Sequence, residues 1–209
     1  MSLTERLAPL PLVAILRGIR PEEAADVGLA LVEAGFLCLE VPLNSPEPFA
    51  SIRAMKDAVG DLALVGAGTV LDVADVELVR EAGGEIVISP NCDPAVIAAT
   101  KALGLTSMPA FFTPSEAFSA LKAGADGLKL FPAEAASPST LKAIRAVLPK
   151  DTAVFVVGGV TPVNMSTWRD VGAFGFGIGS SLYAPGRDAS DVASRARAFV
   201  SAWRQSDRI

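Results

Sequence analysis

The chain of 209 residues contains no histidine. That absence removes the Ser-His-Asp and Cys-His constellations, the imidazole general base and nearly every zinc site. Cysteine is almost as scarce: Cys38 and Cys92 are the only two and have no CxxC spacing, so they read as reduced structural thiols of a cytoplasmic protein rather than a disulfide framework. Positive charge is in deficit, with 18 Lys and Arg against 23 Asp and Glu and no basic run. The surface therefore offers no electrostatic footprint for nucleic acid or for an anionic membrane, and any bound phosphate must be held by local geometry. Aromatic residues make up only 6% of the chain, so its core must be built from Ala, Val, Leu and Ile. Glycines and prolines interrupt every uncharged run before it reaches the ~18 residues of a membrane span. The apolar stretch Leu7 to Leu16 contains Pro9 and Pro11, follows Glu5 and lacks a cleavage pattern, which argues against a signal peptide.

What the chain does have is regular punctuation. Gly35, Gly60, Gly83, Gly104, Gly124 and Gly172 each follow a helical pattern and suit a left-handed helix C-cap. Ser45-Pro46, Asp93-Pro94, Thr113-Pro114, Ser137-Pro138 and Thr161-Pro162 each place a capping side chain before a proline suited to a first helical position. Between each stop and the next start lies a short apolar run, the pattern of a strand covered on both faces. The runs are Leu12 to Leu16, Leu37 to Leu43, Leu62 to Gly66, Glu85 to Ser89, Thr106 to Ala110, Gly127 to Phe131, Ala153 to Val157 and Phe174 to Ile178. Eight strands alternating with helices, without a linker, predict an α/β fold: one (β/α)8 TIM barrel domain spanning residues 1–209. Leu3 to Ala8 would add a helix closing the barrel bottom, and Asp188 to Arg204 would be the last amphipathic helix.

Barrel active sites form where strands end at their C-terminal side, so the polar groups at those ends are the candidates. Lys129 interrupts the apolar run Leu128 to Phe131, and period-two alternation turns it to the barrel axis while Leu128 and Leu130 face the helices. Removing an ammonium from water favours the free amine, which can attack a carbonyl and form a Schiff base. The alternatives are an ion pair with Glu40 or a stem that reaches out to solvent. Glu40 shares the inner face with Cys38 and Pro42 and is either a proton shuttle or only an ion-pair partner. Arg17 offers a planar cationic fork for a carboxylate or phosphate, or else a salt bridge at the barrel mouth. The runs Val157-Gly158-Gly159 and Gly177-Ile178-Gly179-Ser180-Ser181 end the seventh and eighth strands, the usual place for a barrel phosphate site, although a Gly-Gly pair alone is often a plain turn. Gly66-Ala67-Gly68-Thr69 lacks the third glycine of a dinucleotide fingerprint, and a nicotinamide cofactor is discarded.

Taken in order, several stretches resemble the small bacterial class I aldolases that cleave 2-keto-3-deoxy-6-phospho sugar acids. They are Leu12 to Ile19, Glu40 to Pro46, Gly66 to Leu71, Ser89-Pro90-Asn91, Leu128 to Glu134 and Val157 to Pro162. The resemblance implies that Lys129 is the Schiff-base lysine, Glu40 the proton donor and acceptor, Arg17 and Thr69 substrate contacts, and Gly159, Gly179 and Ser180 the phosphate holders. It further implies no cofactor, no metal and a homotrimer. Gluconate-type members tend to carry Thr-Leu-Arg-Thr where this chain has Pro42-Leu43-Asn44-Ser45, and a Thr where it has Val157. Both departures lean toward the galactonate branch, whose reaction would yield pyruvate and glyceraldehyde 3-phosphate. Within the resemblance, the gluconate-type aldolase and a 4-hydroxy-2-oxoglutarate aldolase stay open as alternatives, and on residues alone so do a phosphate-binding barrel isomerase using Lys129 and Glu40 as acid and base and a non-enzymatic sugar-phosphate binder.

Overall fold

The computed structural model describes residues 1–205. Its strands are β1 (Leu12–Ile15), β2 (Cys38–Pro42), β3 (Leu64–Gly68), β4 (Ile86–Ile88), β5 (Thr106–Met108), β6 (Ala110–Phe111), β7 (Leu128–Leu130), β8 (Val154–Val157) and β9 (Gly175–Ile178). All nine lie in one sheet and every pairing is parallel. The first strand pairs with the last, Val13 opposite Gly177, which joins the two halves of the sheet.

The fifth predicted run is divided. Pro109, which has no N–H to donate, separates β5, paired with β4, from β6, paired with β7. The Pro109 carbonyl nevertheless accepts from the Lys129 N–H at 2.9 Å, so the two short pieces act as one stave and the ring is an eight-staved barrel.

Helices cover the outside: α1 (Leu3–Leu7), α2 (Pro21–Ala34), α3 (Pro48–Val59), α4 (Val73–Glu81), α5 (Pro94–Ala102), α6 (Pro114–Lys122), α7 (Pro138–Arg145), α8 (Met165–Arg169) and α9 (Ala189–Gln205). The six stop glycines all adopt positive φ. Thr113 and Ser137 cap α6 and α7 through capping boxes, and the Asp93 carboxylate caps α5 by accepting from Ala95 N–H.

Three expectations require correction. Ser45-Pro46 does not start α3, which begins at Pro48 after Glu47; Ser45 instead accepts a hydrogen bond from Gly18 N–H. Thr161-Pro162 belongs to a turn, and α8 begins at Met165 after Asn164. The third strand lies two residues further on than the apolar run suggested, because Leu62 sits in a 3-10 turn, 64% exposed, and pairing begins at Leu64.

Two apolar layers result. The larger lies between sheet and helices and takes Leu39, Val41, Leu128 and Leu130. The smaller fills the barrel floor with Val13, Cys38, Leu64, Ile86, Ile88, Met108 and Phe155, stoppered by Leu3 and Leu7 of α1. Ser2 holds that stopper in place: its side chain accepts from the Glu5 N–H while the Glu5 carboxylate accepts from the Ser2 N–H. Apolar filling at one end leaves the other end of the barrel for polar chemistry.

Candidate active site

Alternation along β7 turns Lys129 inward between Leu128 and Leu130, and the side chain is only 5% exposed. It lines a cavity of about 630 Å3 at the C-terminal end of the barrel. Its Nζ lies 5.2 Å from the centre of the Phe131 ring, within cation–π range. No ion pair within 4 Å joins it to any carboxylate among the described residues, which removes the structural ion pair with Glu40 as the explanation for its burial.

Glu40 projects from β2 into the same interior and is 1% exposed. Burial raises its pKa above the usual carboxylate range, while the Lys129 and Arg17 charges pull it back. Its Oε1 has no hydrogen-bond partner among the described residues. A neighbouring glycine makes room for this carboxylate: a Cβ at Gly68 would collide with Glu40 Oε1. Below it, Cys38 is fully buried, and burial together with the Glu40 charge pushes its thiol far up, leaving it inert.

Around this pair the cavity wall is built from loops. Arg17, just past β1, lines the mouth and donates from Nη1 to Asn44 Oδ1 at 2.6 Å; it forms no ion pair among the described residues. Thr69 follows β3 at φ 58, a conformation that a β-branched residue rarely holds. Gly158 and Gly159 follow β8 at φ 115 and 64, and Gly179 and Ser180 follow β9; all four line the cavity. Ser181 Oγ donates to the Val160 carbonyl at 3.0 Å, tying these two loops together. Asn164 braces the first loop, accepting from Thr161 N–H and donating to the Gly159 carbonyl, each at 2.9 Å. Thus Lys129, Arg17, Thr69, Gly159, Gly179 and Ser180 share one cavity; Glu40 is not among its lining residues and lies buried against Gly68, the residue before Thr69.

Sequence reasoning assigned no role to two further lining residues. Glu134 lies against the glycine pair, where a Cβ on Gly158 would collide with its Oε2. Tyr183, the sole tyrosine of the chain, donates its hydroxyl to Glu23 Oε2 at 3.0 Å; burial and that hydrogen bond raise its pKa. Tyr183 carried a signal, since it stands two residues beyond the Ser180-Ser181 pair, whereas nothing in the spacing of Glu134 separates it from a solvated surface carboxylate. Among the described residues no group of three or more Cys, Asp or Glu is placed to ligate a metal ion. Among the described residues no helix is long and apolar enough to cross a membrane.

The sequence pattern of the KDPG and KHG aldolase family matches residues 3–195. The chain is 50% identical to the 2-dehydro-3-deoxy-6-phosphogalactonate aldolase of Escherichia coli strain K12 over 198 residues, covering 94% of this chain and 96% of the relative. A probable 2-dehydro-3-deoxy-6-phosphogalactonate aldolase of Rhizobium meliloti strain 1021 is also 50% identical, over 193 residues, 92% of this chain and 91% of the relative. A solved structure described as native KDPGal superposes with a TM-score of 0.94 at 48% identity, covering 96% of this chain and 97% of that one.

The Glu40 shift carries a stability consequence with a definite sign. Because its folded-state pKa is raised, the protonated form is favoured in the fold. The contribution is complete below the ordinary value near 4.5 and is lost as the pH rises through the folded pKa. Glu40→Gln, which mimics the neutral acid, should therefore melt at a higher temperature than the parent at pH 8, with the gap closing as the pH falls toward 4.5. Paired thermal melts across that pH range check this, and a variant that melts lower at pH 8 contradicts it.

Proposed function

From the fact that the chain belongs to the KDPG and KHG aldolase family, we infer a class I aldolase, a carbon-carbon lyase that splits 2-dehydro-3-deoxy-6-phosphogalactonate into pyruvate and D-glyceraldehyde 3-phosphate. The observation that carries the residue assignment is Lys129, buried without an ion-pair partner among the described residues and lining the cavity, with Glu40 buried in the same barrel interior and its pKa raised by burial.

The chemistry follows from those two groups. The free amine of Lys129 adds to the C2 ketone, and loss of water yields an iminium. That cation draws in the C3–C4 bonding electrons while Glu40, through a water, takes the proton of the C4 hydroxyl. Glyceraldehyde 3-phosphate departs as the aldehyde, leaving the enamine of pyruvate. The acid form of Glu40 returns the proton to C3, and hydrolysis of the iminium releases pyruvate and restores the amine. A carboxyl whose pKa is raised suits both halves of this cycle, since it must hold a proton and then give it up.

Binding divides between the two ends of the substrate. Arg17 and Thr69 take the carboxylate of the pyruvate half, and the backbone of Gly159 and Gly179 with Ser180 takes the phosphate. The linked glycine-rich loops support the second assignment, because the chain supplies no basic cluster that could hold a phosphate by charge. Val157 forms an apolar wall of the cavity and offers no hydrogen bond to a substrate hydroxyl. Its effect is a preference between C4 epimers worth ~1–3 kcal/mol, a bias rather than an exclusion. A homotrimer and a cytoplasmic location belong to the same reading, supported by the family resemblance and by the free thiols Cys38 and Cys92.

Incubation with pyruvate and borohydride should leave one reduced adduct, mapped by peptide mass to Lys129, and Lys129→Met should give neither adduct nor turnover while retaining its melting transition. An adduct elsewhere, or turnover in the variant, would remove the assignment. Comparing turnover of the two epimeric phosphosugar acids should show a galacto preference in the parent, narrowed about ten-fold in Val157→Thr. Light scattering should give three chain masses; a monomer mass would exclude the trimer.

A further inference from the structure

Arg17 is oriented by its neighbours at the barrel mouth, which bears on function through the reading of Arg17 as the substrate-carboxylate contact. Arg17 is exposed at the cavity mouth, two residues past the end of β1, where a long side chain has many rotamers to lose. The structure holds it from the adjacent stave. Asn44, two residues past the end of β2, accepts from Arg17 Nη1 through Oδ1 at 2.6 Å. The next residue, Ser45, is 7% exposed, and its hydroxyl accepts from the Gly18 N–H at 2.9 Å. From the other side Pro185 presses on the bare Gly18, whose added Cβ would stand 2.7 Å from Pro185 Cγ and whose φ is 84. The backbone that carries Arg17 is therefore fixed on both sides, and Asn44 fixes the guanidinium itself.

We propose that Asn44 is a positioning residue of the carboxylate clamp: its neutral amide oxygen aims the Arg17 fork into the cavity without spending the charge of that fork. A guanidinium presents five donors, so one bond from Nη1 leaves Nε and Nη2 for a two-point grip on a carboxylate. The neutrality of the acceptor is the point. An aspartate at position 44 would accept the same hydrogen bond but would form an ion pair with Arg17 and compete with the carboxylate of the incoming substrate. An amide orients the cation and leaves its full attraction for the ligand, whereas the Glu40 carboxylate, whose charge also couples to Arg17, is held toward its neutral form by burial. Electrostatic assistance of this kind weakens as salt rises.

The readout is the pyruvate concentration that half-saturates borohydride trapping on Lys129, because it does not involve the phosphate loops. Asn44→Ala should raise that concentration about ten-fold, with the limiting trapping rate within about two-fold of the parent. Asn44→Asp should raise it further and flatten its dependence on salt, although the hydrogen-bond acceptor is retained. Arg17→Ala is the reference arm. If it raises half-saturation and Asn44→Ala does not, the positioning role is overturned while the clamp stands. If Arg17→Ala leaves half-saturation unchanged, the clamp reading itself falls. A lowered limiting rate at unchanged half-saturation in Asn44→Ala would place Asn44 in the chemistry and also overturn the proposal. Aspartate behaving like the parent, with salt dependence intact, would overturn the charge argument. Each protein's thermal midpoint is compared at the assay pH, so that a loss of fold is seen separately from a loss of affinity.

Discussion

An amine and a carboxyl group, both almost entirely out of water, face the interior of one barrel without bonding to each other. Each would be costly to bury as an unpaired charge. Glu40 meets the cost by holding its proton more tightly than a carboxyl in water. Lys129 lies between the flat face of Phe131 and an open cavity that admits solvent and ligand. The surrounding architecture serves this arrangement: the barrel floor is closed by apolar side chains, so neither group is neutralised from below, and glycine at position 68 leaves space where any side chain would collide with the carboxylate.

The loops around that pair depart from relaxed backbone where the cavity needs its walls. Thr69 holds a left-handed conformation normally left to glycine, and Gly158 and Gly159 take two successive positive φ values. These turns bring backbone rather than long side chains to the cavity surface. That suits a chain with negative net charge, because an anion can then be met by oriented peptide groups instead of a basic cluster. Ser181 and Asn164 make the arrangement rigid through hydrogen bonds to the loop backbone.

Most of the barrel was legible in the sequence because glycine stops and apolar runs are local signals. The left-handed caps at Gly35 and Gly172 need only a residue without Cβ after a helix, and both are where the pattern put them. The errors arose where one local signal had two uses. Ser45-Pro46 has the form of a helix start, but the serine hydroxyl is claimed by Gly18, a contact 27 residues distant along the chain. Leu62 has the hydropathy of a strand residue yet lies exposed in a turn. Lys129 and Glu40 were readable because a charge within an apolar strand is conspicuous. Glu134 was not readable as a lining residue, since it is an ordinary polar loop residue until the barrel closes, and Asn44, legible as the polar end of the second strand, gave no sign of its bond to Arg17.

The apolar stopper of α1 also assigns the two ends of the barrel different uses. Leu3 and Leu7 occupy the floor, and Met1, two residues before Leu3, is 93% exposed. Material joined to the amino end would depart from the face remote from the cavity, so a surface tether, a fluorescent reporter or a fused scaffold could be attached there while traffic of small molecules through the open rim continued unimpeded.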